Sequence, residues 1–145
     1  MDLFGPSRIM SLGGNYYAFV IVDYFSRFTW TLFLSAKNET FYAFKKLAKV
    51  LENAKDSKIV SLRSDYGGEF QNEKFEHFYE KHGIKHNFLA PRTPQQNGVV
   101  ERKNRSLEEL SRTMLNETSL PKYFWADVVN TASYVLNRVL IRPIL

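Results

Sequence analysis

Three acidic residues stand where carboxylates could work together. Asp65 ends the strand-like stretch Leu62-Arg63-Ser64 and precedes the turn Gly67-Gly68. Glu101 lies in the segment from Pro94 to Arg105, which reads as the opening turns of a helix, and 35 residues separate the two acids. The third, Asp2, stands just before Leu3-Phe4-Gly5-Pro6. Carboxylates converging from different elements can hold two divalent cations about 3.5–4 Å apart, one activating an attacking oxygen and the other stabilising the leaving oxygen of a phosphoryl transfer. Magnesium takes hard oxygen donors and keeps several waters, so three acids can serve two ions when substrate phosphates complete the shells. Any one of these acids alone is more simply a solvated cap. The case rests on the set.

The elements that must position them follow from periodicity. Asp2 to Phe4 reads as the end of a strand stopped by Gly5-Pro6, which cannot continue a ladder. Tyr16 to Val22 and Phe28 to Leu34 read as two further strands, hairpin partners joined by a turn over Asp23 to Arg27. Phe41, Phe44, Leu47, Ala48 and Leu51 recur at helical spacing and predict an amphipathic helix to about Ala54. Lys58 to Ser64 is then a strand delivering Asp65 at its C-terminal end. Phe75, Phe78, Tyr79 and His82 mark a second helix ended by Gly83, and Ile84 to Leu89 alternates as a fifth strand.

Thr93-Pro94-Gln95-Gln96 offers a cap, a first-turn proline and a glutamine at the third position, with Asn97 a competing cap. Val100, Leu107, Leu110 and Met114 form the buried stripe of that third helix. A last helix from near Pro121 buries Phe124, Trp125, Val128, Ala132, Val135 and Leu136. A strand meander followed by αβ alternation implies a mixed sheet of five strands covered by helices, in one domain over residues 1–145.

The totals are permissive. A chain of 145 residues, 44% hydrophobic and 15% aromatic, can bury a globular core. A net charge of +5 suits a polyanion partner or a solvated basic surface equally. Zero cysteines exclude a disulfide framework and a cysteine zinc site. No apolar run approaches the ~20 residues of a membrane span, and the acid directly after Met1 does not fit a secretory signal. Opening within a motif and closing just past a helix, the chain reads as a fragment whose first strand is truncated before Asp2.

Four motifs carry a resemblance. Asp-Leu-Phe-Gly-Pro at 2–6, Asp-Tyr-Phe-Ser-Arg at 23–27, Ser-Asp-Tyr-Gly-Gly-Glu-Phe at 64–70 and Pro-Gln-Gln-Asn-Gly-Val-Val-Glu-Arg-Lys-Asn at 94–104 resemble the integrase catalytic core of Copia-type LTR retrotransposons. Phe124-Trp125 and Tyr134 to Arg138 fit as well, so the resemblance spans essentially the whole chain. It implies an RNase H-like α/β fold with a five-stranded mixed sheet flanked by helices. It also implies 3′-end processing of element DNA and strand transfer into target DNA, with water and then a DNA 3′-hydroxyl as nucleophile. By position, the catalytic residues and metal ligands are Asp2, Asp65 and Glu101, holding two Mg²⁺ (or Mn²⁺) ions. The implied partners are DNA, other copies of the chain and the remainder of a Pol polyprotein in cis, with action in the nucleus and no membrane. Tyr66 departs from the family, which usually has Asn directly after the second acid.

Around Glu101, the resemblance directs Asn97, Arg102, Lys103 and Arg105 to nucleic acid. Such contacts would make affinity fall with salt. The alternative for the basic residues, Arg112 included, is i,i+4 pairing with Glu101, Glu108 and Glu109 on a solvated face. Asp23 is read as a turn residue beside Arg27, and Glu69 as a polar contact next to the site. His77, His82 and His86 lack the spacing and the fourth ligand of a zinc site. Two rival readings are a non-catalytic remnant that binds nucleic acid or protein, and a general RNase H-like nuclease. The Pro94 to Glu101 stretch speaks against the nuclease.

Overall fold

The computed structural model describes residues 1–64, 67–88 and 94–139, with only the backbone described for Phe88 and residues 94–101. In order, the elements are β1 (Asp2–Phe4), β2 (Tyr17–Val22), β3 (Thr29–Leu34), α1 (Thr40–Lys55), β4 (Ser61–Ser64), α2 (Glu73–His82), β5 (Lys85–Phe88), α3 (Pro94–Glu117) and α4 (Trp125–Val139). Short 3-10 turns over Lys37–Glu39 and Lys122–Phe124 lead into α1 and α4. The predicted order is reproduced throughout. Pro94 takes the first position of α3, so Asn97 lies inside the helix and does not cap it. None of the described helices is long and apolar enough to cross a membrane.

The chain divides into two compact units, residues 1–35 with 94–145, and residues 36–93. In the first, β1, β2 and β3 form an antiparallel sheet in that order, with Asp2 opposite Val20 and Val22 opposite Thr29. In the second, β4 and β5 pair in parallel, with Ser64 opposite Phe88. The five expected strands are present, but the described hydrogen bonding joins them as three and two, not as one five-stranded ladder. Hairpin turns make antiparallel neighbours of β1 to β3, whereas α2 is the crossover that a parallel pair requires.

In the first unit the core is built on β2. Phe19 and Val20 are fully buried, and Val20 clusters with Leu107 of α3 and Ala132 of α4, with Val22, Leu110, Met114, Val129 and Leu136 packed around them. Gly5, at φ +127, ends β1 where a Cβ would stand 2.7 Å from the carbonyl oxygen of Tyr16. That carbonyl accepts the Ser7 N–H at 2.7 Å, so a side chain there would break the connection into β2. In the second unit, Phe44 of α1 and Phe75 and Phe78 of α2 meet edge-on or tilted at 5.5 Å, and Phe70 reaches Phe75 at 6.1 Å. Such arrangements suit the ring quadrupoles.

One expectation about α4 fails. Val135 is exposed, while Asn137 is buried. Its Oδ1 accepts the Thr29 N–H at 2.8 Å and its Nδ2 donates to the Thr29 carbonyl at 2.8 Å, so one amide satisfies both backbone groups on the outer edge of β3. The helix turns its hydrogen-bonding side chain to the strand edge because an orphaned buried backbone group costs more than an exposed valine. Asn137→Ala is therefore expected to destabilise the chain by about 2–3 kcal/mol, and Val135→Ala by less than about 0.5 kcal/mol, in equilibrium denaturation. Equal losses would contradict this account of the edge.

Candidate active site

Asp2 is half-buried on β1 and both its oxygens are occupied. Oδ1 accepts the Leu3 N–H at 2.8 Å, and Oδ2 accepts from Asn104 Nδ2 at 3.1 Å. Asn104 stands one helical turn after Glu101 on α3. The first expected acid is thereby tied to the helix that carries the third. Asn104 Oδ1 is buried and has no hydrogen-bond partner among the described residues. A carboxylate beside an unsatisfied amide oxygen is a hard-donor environment of the sort a divalent cation takes. The described donors therefore fit the divalent ions that the resemblance implies.

The side chain of Glu101, and Asp65 and Tyr66 altogether, lie outside the described residues. What holds the two flanks of Asp65 is visible in the second unit. Ser64, fully buried at the end of β4, bonds through Oγ to His86 Nε2 of β5 at 2.7 Å. The His86 ring lies against Tyr79, centroids 4.6 Å apart. After Asp65, the Gly67 carbonyl accepts from the Phe70 and Gln71 N–H groups at 2.9 Å. Asn72 caps α2 by accepting the Phe75 N–H at 3.1 Å, while its Nδ2 reaches back to the Gly68 and Glu69 carbonyls. Glu69, read as a polar contact, folds its carboxylate over Gly67, where a Cβ would meet Oε1 at 2.5 Å.

The expected DNA-contacting residues fall on α3. Arg102 and Arg105 are exposed and Lys103 is half-buried; the Asn97 side chain is outside the described residues. Burial, then the charge of Arg27 from the β2–β3 turn, lowers the Lys103 pKa, so two cations from separate elements feel one another. Arg112 instead makes the i,i+4 pair, 2.9 Å from Glu108. Asp23 is a turn residue as expected: its carboxylate accepts from the Phe25 and Ser26 N–H groups and the Ser26 hydroxyl. Among the described residues no three His, Cys, Asp or Glu side chains cluster. Asn104 is the residue that sequence reasoning did not assign, although its place three after Glu101 put it on the same helical face.

The integrase core domain family matches residues 1–94. The chain belongs to that family. It is 43% identical over 137 residues to the retrovirus-related Pol polyprotein from transposon TNT 1-94 of Nicotiana tabacum, covering 94% of this chain and 10% of that protein. It is 38% identical over 136 residues to the corresponding polyprotein from transposon RE2 of Arabidopsis thaliana, with coverage of 92% and 9%. The integrase core chain thus spans about a tenth of the length of the curated relatives it matches, and these plant Ty1/Copia-type proteins bear out the resemblance read from the motifs.

Among solved structures it is similar to the magnesium complex of the HTLV-2 integrase catalytic core domain in its trimeric form. The TM-score there is 0.63 at 24% identity, covering 95% of this chain and 85% of the other. A simian T-cell lymphotropic virus intasome in complex with PP2A regulatory subunit B56 gamma gives 0.68 at 20% identity, covering 95% and 48%. The fold is RNase H-like, as expected.

His86 supplies a stability test of the anchor before Asp65. Burial lowers its pKa below the ordinary 6.5, and the neutral ring can accept the Ser64 hydroxyl. A folded-state pKa below the unfolded one gives a contribution that is full above about pH 6.5 and lost as pH falls through the folded value. The denaturation midpoint is expected to drop on acidification below that point, and His86→Gln to flatten the drop. An unchanged slope in the variant would remove His86 from the anchor.

Proposed function

We propose that this chain is the catalytic core of an integrase that performs metal-dependent 3′-end processing of retrotransposon DNA and its strand transfer into target DNA. The observation that carries the reading is the hydrogen bond from Asn104 to Asp2. It couples the β1 acid to the helix of Glu101 in a chain of the integrase core family. Asp2, Asp65 and Glu101 would hold two Mg²⁺ or Mn²⁺ ions, which supply activation of the attacking oxygen and charge stabilisation at the leaving one when bound. That the HTLV-2 integrase core of similar fold is a magnesium complex supports the choice of metal.

The chain's own contribution is orientation. The Leu3 N–H and the Asn104 amide fix the two Asp2 oxygens, so its carboxylate needs no rearrangement before use. In processing, a water oxygen bonds to phosphorus while the bond to the 3′-oxygen breaks, freeing a 3′-hydroxyl. In transfer, that hydroxyl bonds to a target phosphorus and a target 3′-oxygen leaves. One phosphoester replaces another, and no protein residue is covalently attached. Arg102, Lys103, Arg105 and Asn97 serve as DNA contacts. The remaining partners are further copies of the chain and the rest of a Pol polyprotein in cis, with the nucleus as the place of action.

The test is Mn²⁺-dependent resolution of a branched DNA that mimics the integration product. Glu101→Gln or Asp65→Asn is expected to lower the rate about a thousand-fold or more, the several kcal/mol that metal-held charge stabilisation is worth. Asn104→Ala should weaken metal activation about 10–100-fold, with recovery at higher Mn²⁺. A folded, DNA-binding chain that leaves the branch intact in every metal would overturn the proposal in favour of a non-catalytic binding module.

A further inference from the structure

We propose that the outward face of α1 is a second DNA-docking surface, holding a duplex by its phosphates. It rests on the DNA-processing reading only for the identity of the polyanion.

Helix α1 buries Thr40, Phe44 and Ala48. At 3.6 residues per turn, Tyr42, Lys45, Lys46, Lys49 and Asn53 fall within an arc of about 100° on the opposite side, and all five are exposed. No acid lies in that arc. The single acid of the helix, Glu52, sits at its margin and is half-buried, with Oε1 accepting the Ile59 N–H at 3.0 Å. Among the described residues, no carboxylate pairs with Lys45, Lys46 or Lys49.

A fourth cation joins the stripe from α2. Lys74 Nζ donates to the Tyr42 hydroxyl at 3.1 Å and lies 4.8 Å from the centre of its ring. The contact fixes both a cation and an exposed aromatic at the start of the row.

A face of neighbouring ammonium groups with no counter-charge repels itself, and a row of phosphates relieves that repulsion. Lys45 and Lys49 are about 6 Å apart along the helix axis, close to two nucleotide steps of about 3.4 Å on one strand. Lysine serves here as a point charge without a directional fork, so the contact would position DNA without reading its sequence. The surface would add affinity without adding chemistry.

The experiment measures binding of a short duplex across a salt series, alongside the branched-DNA assay. It uses the full chain, the triple variant Lys45→Gln/Lys46→Gln/Lys49→Gln and a control, Lys58→Gln/Lys81→Gln/Lys85→Gln, with equal charge loss. Glutamine keeps helix propensity, and circular dichroism confirms the fold. Removing three phosphate contacts should make the slope of log affinity against log salt shallower by about 3 units, with affinity at low salt down about ten-fold or more. The control should move far less, and the rate per bound complex should stay that of the parent chain. An unchanged slope in the α1 variant, or an equal change in the control, overturns the surface. Glu101→Gln, silent in chemistry yet unchanged in binding, reports separately on the catalytic reading.

Discussion

Much of the first unit depends on what Val20 touches. It faces Asp2 across the β1–β2 ladder, so the two side chains share one side of the sheet. On that side Val20 packs against Leu107 of α3 and Ala132 of α4, and the small alanine lets the helix approach closely. One apolar contact thus sets the height of α3 over the sheet. Asn104 lies three residues before Leu107, so the contact brings its amide to the level of Asp2. The Asp2 carboxylate is placed by a hydrocarbon core it does not belong to.

The second unit meets the same problem by other means. Asp65 is bracketed by a strand end and a loop, neither of which is stiff unaided. Upstream, a buried serine is held by a histidine that is itself stacked on a tyrosine. Downstream, an asparagine both caps α2 and grips the preceding carbonyls. Behind them stands a block of aromatic side chains, whose packing supplies rigidity at little cost in rotamer entropy. Tyr79 shows the strain of that solution: its hydroxyl is buried with no partner among the described residues, and burial pushes its pKa far up.

Element order and type were legible because period 2 and period 3.6 differ clearly along this chain, down to Gly83, whose left-handed φ of 64 ends α2. The β2–β3 hairpin was legible as well, from the short turn between its strands, but the parallel pairing of β4 with β5 was not, since hydropathy fixes which face of a strand is buried and not which neighbour it bonds. Val135 was misjudged and Asn137 passed over for a related reason. An apolar scale values the valine, whereas the worth of the asparagine lies in meeting a backbone edge 108 residues away in sequence. The acids themselves were read only as a set. Of their surroundings, the motif displayed Asn104 in plain view, but the bond to Asp2 spans 102 residues and is visible only once the sheet is folded.

The amide at position 137 also bears on how copies of this chain can meet. Thr29 opens β3, the outer strand of its sheet, and a bare outer strand invites a neighbour to extend the ladder. With its donor and acceptor both taken from within, that rung offers nothing to a passing strand. At that rung, extension of the ladder is blocked by a single side chain in place of a covering loop. A copy meeting the protein at that rung must recognise side chains, which can be specific in a way that backbone pairing cannot.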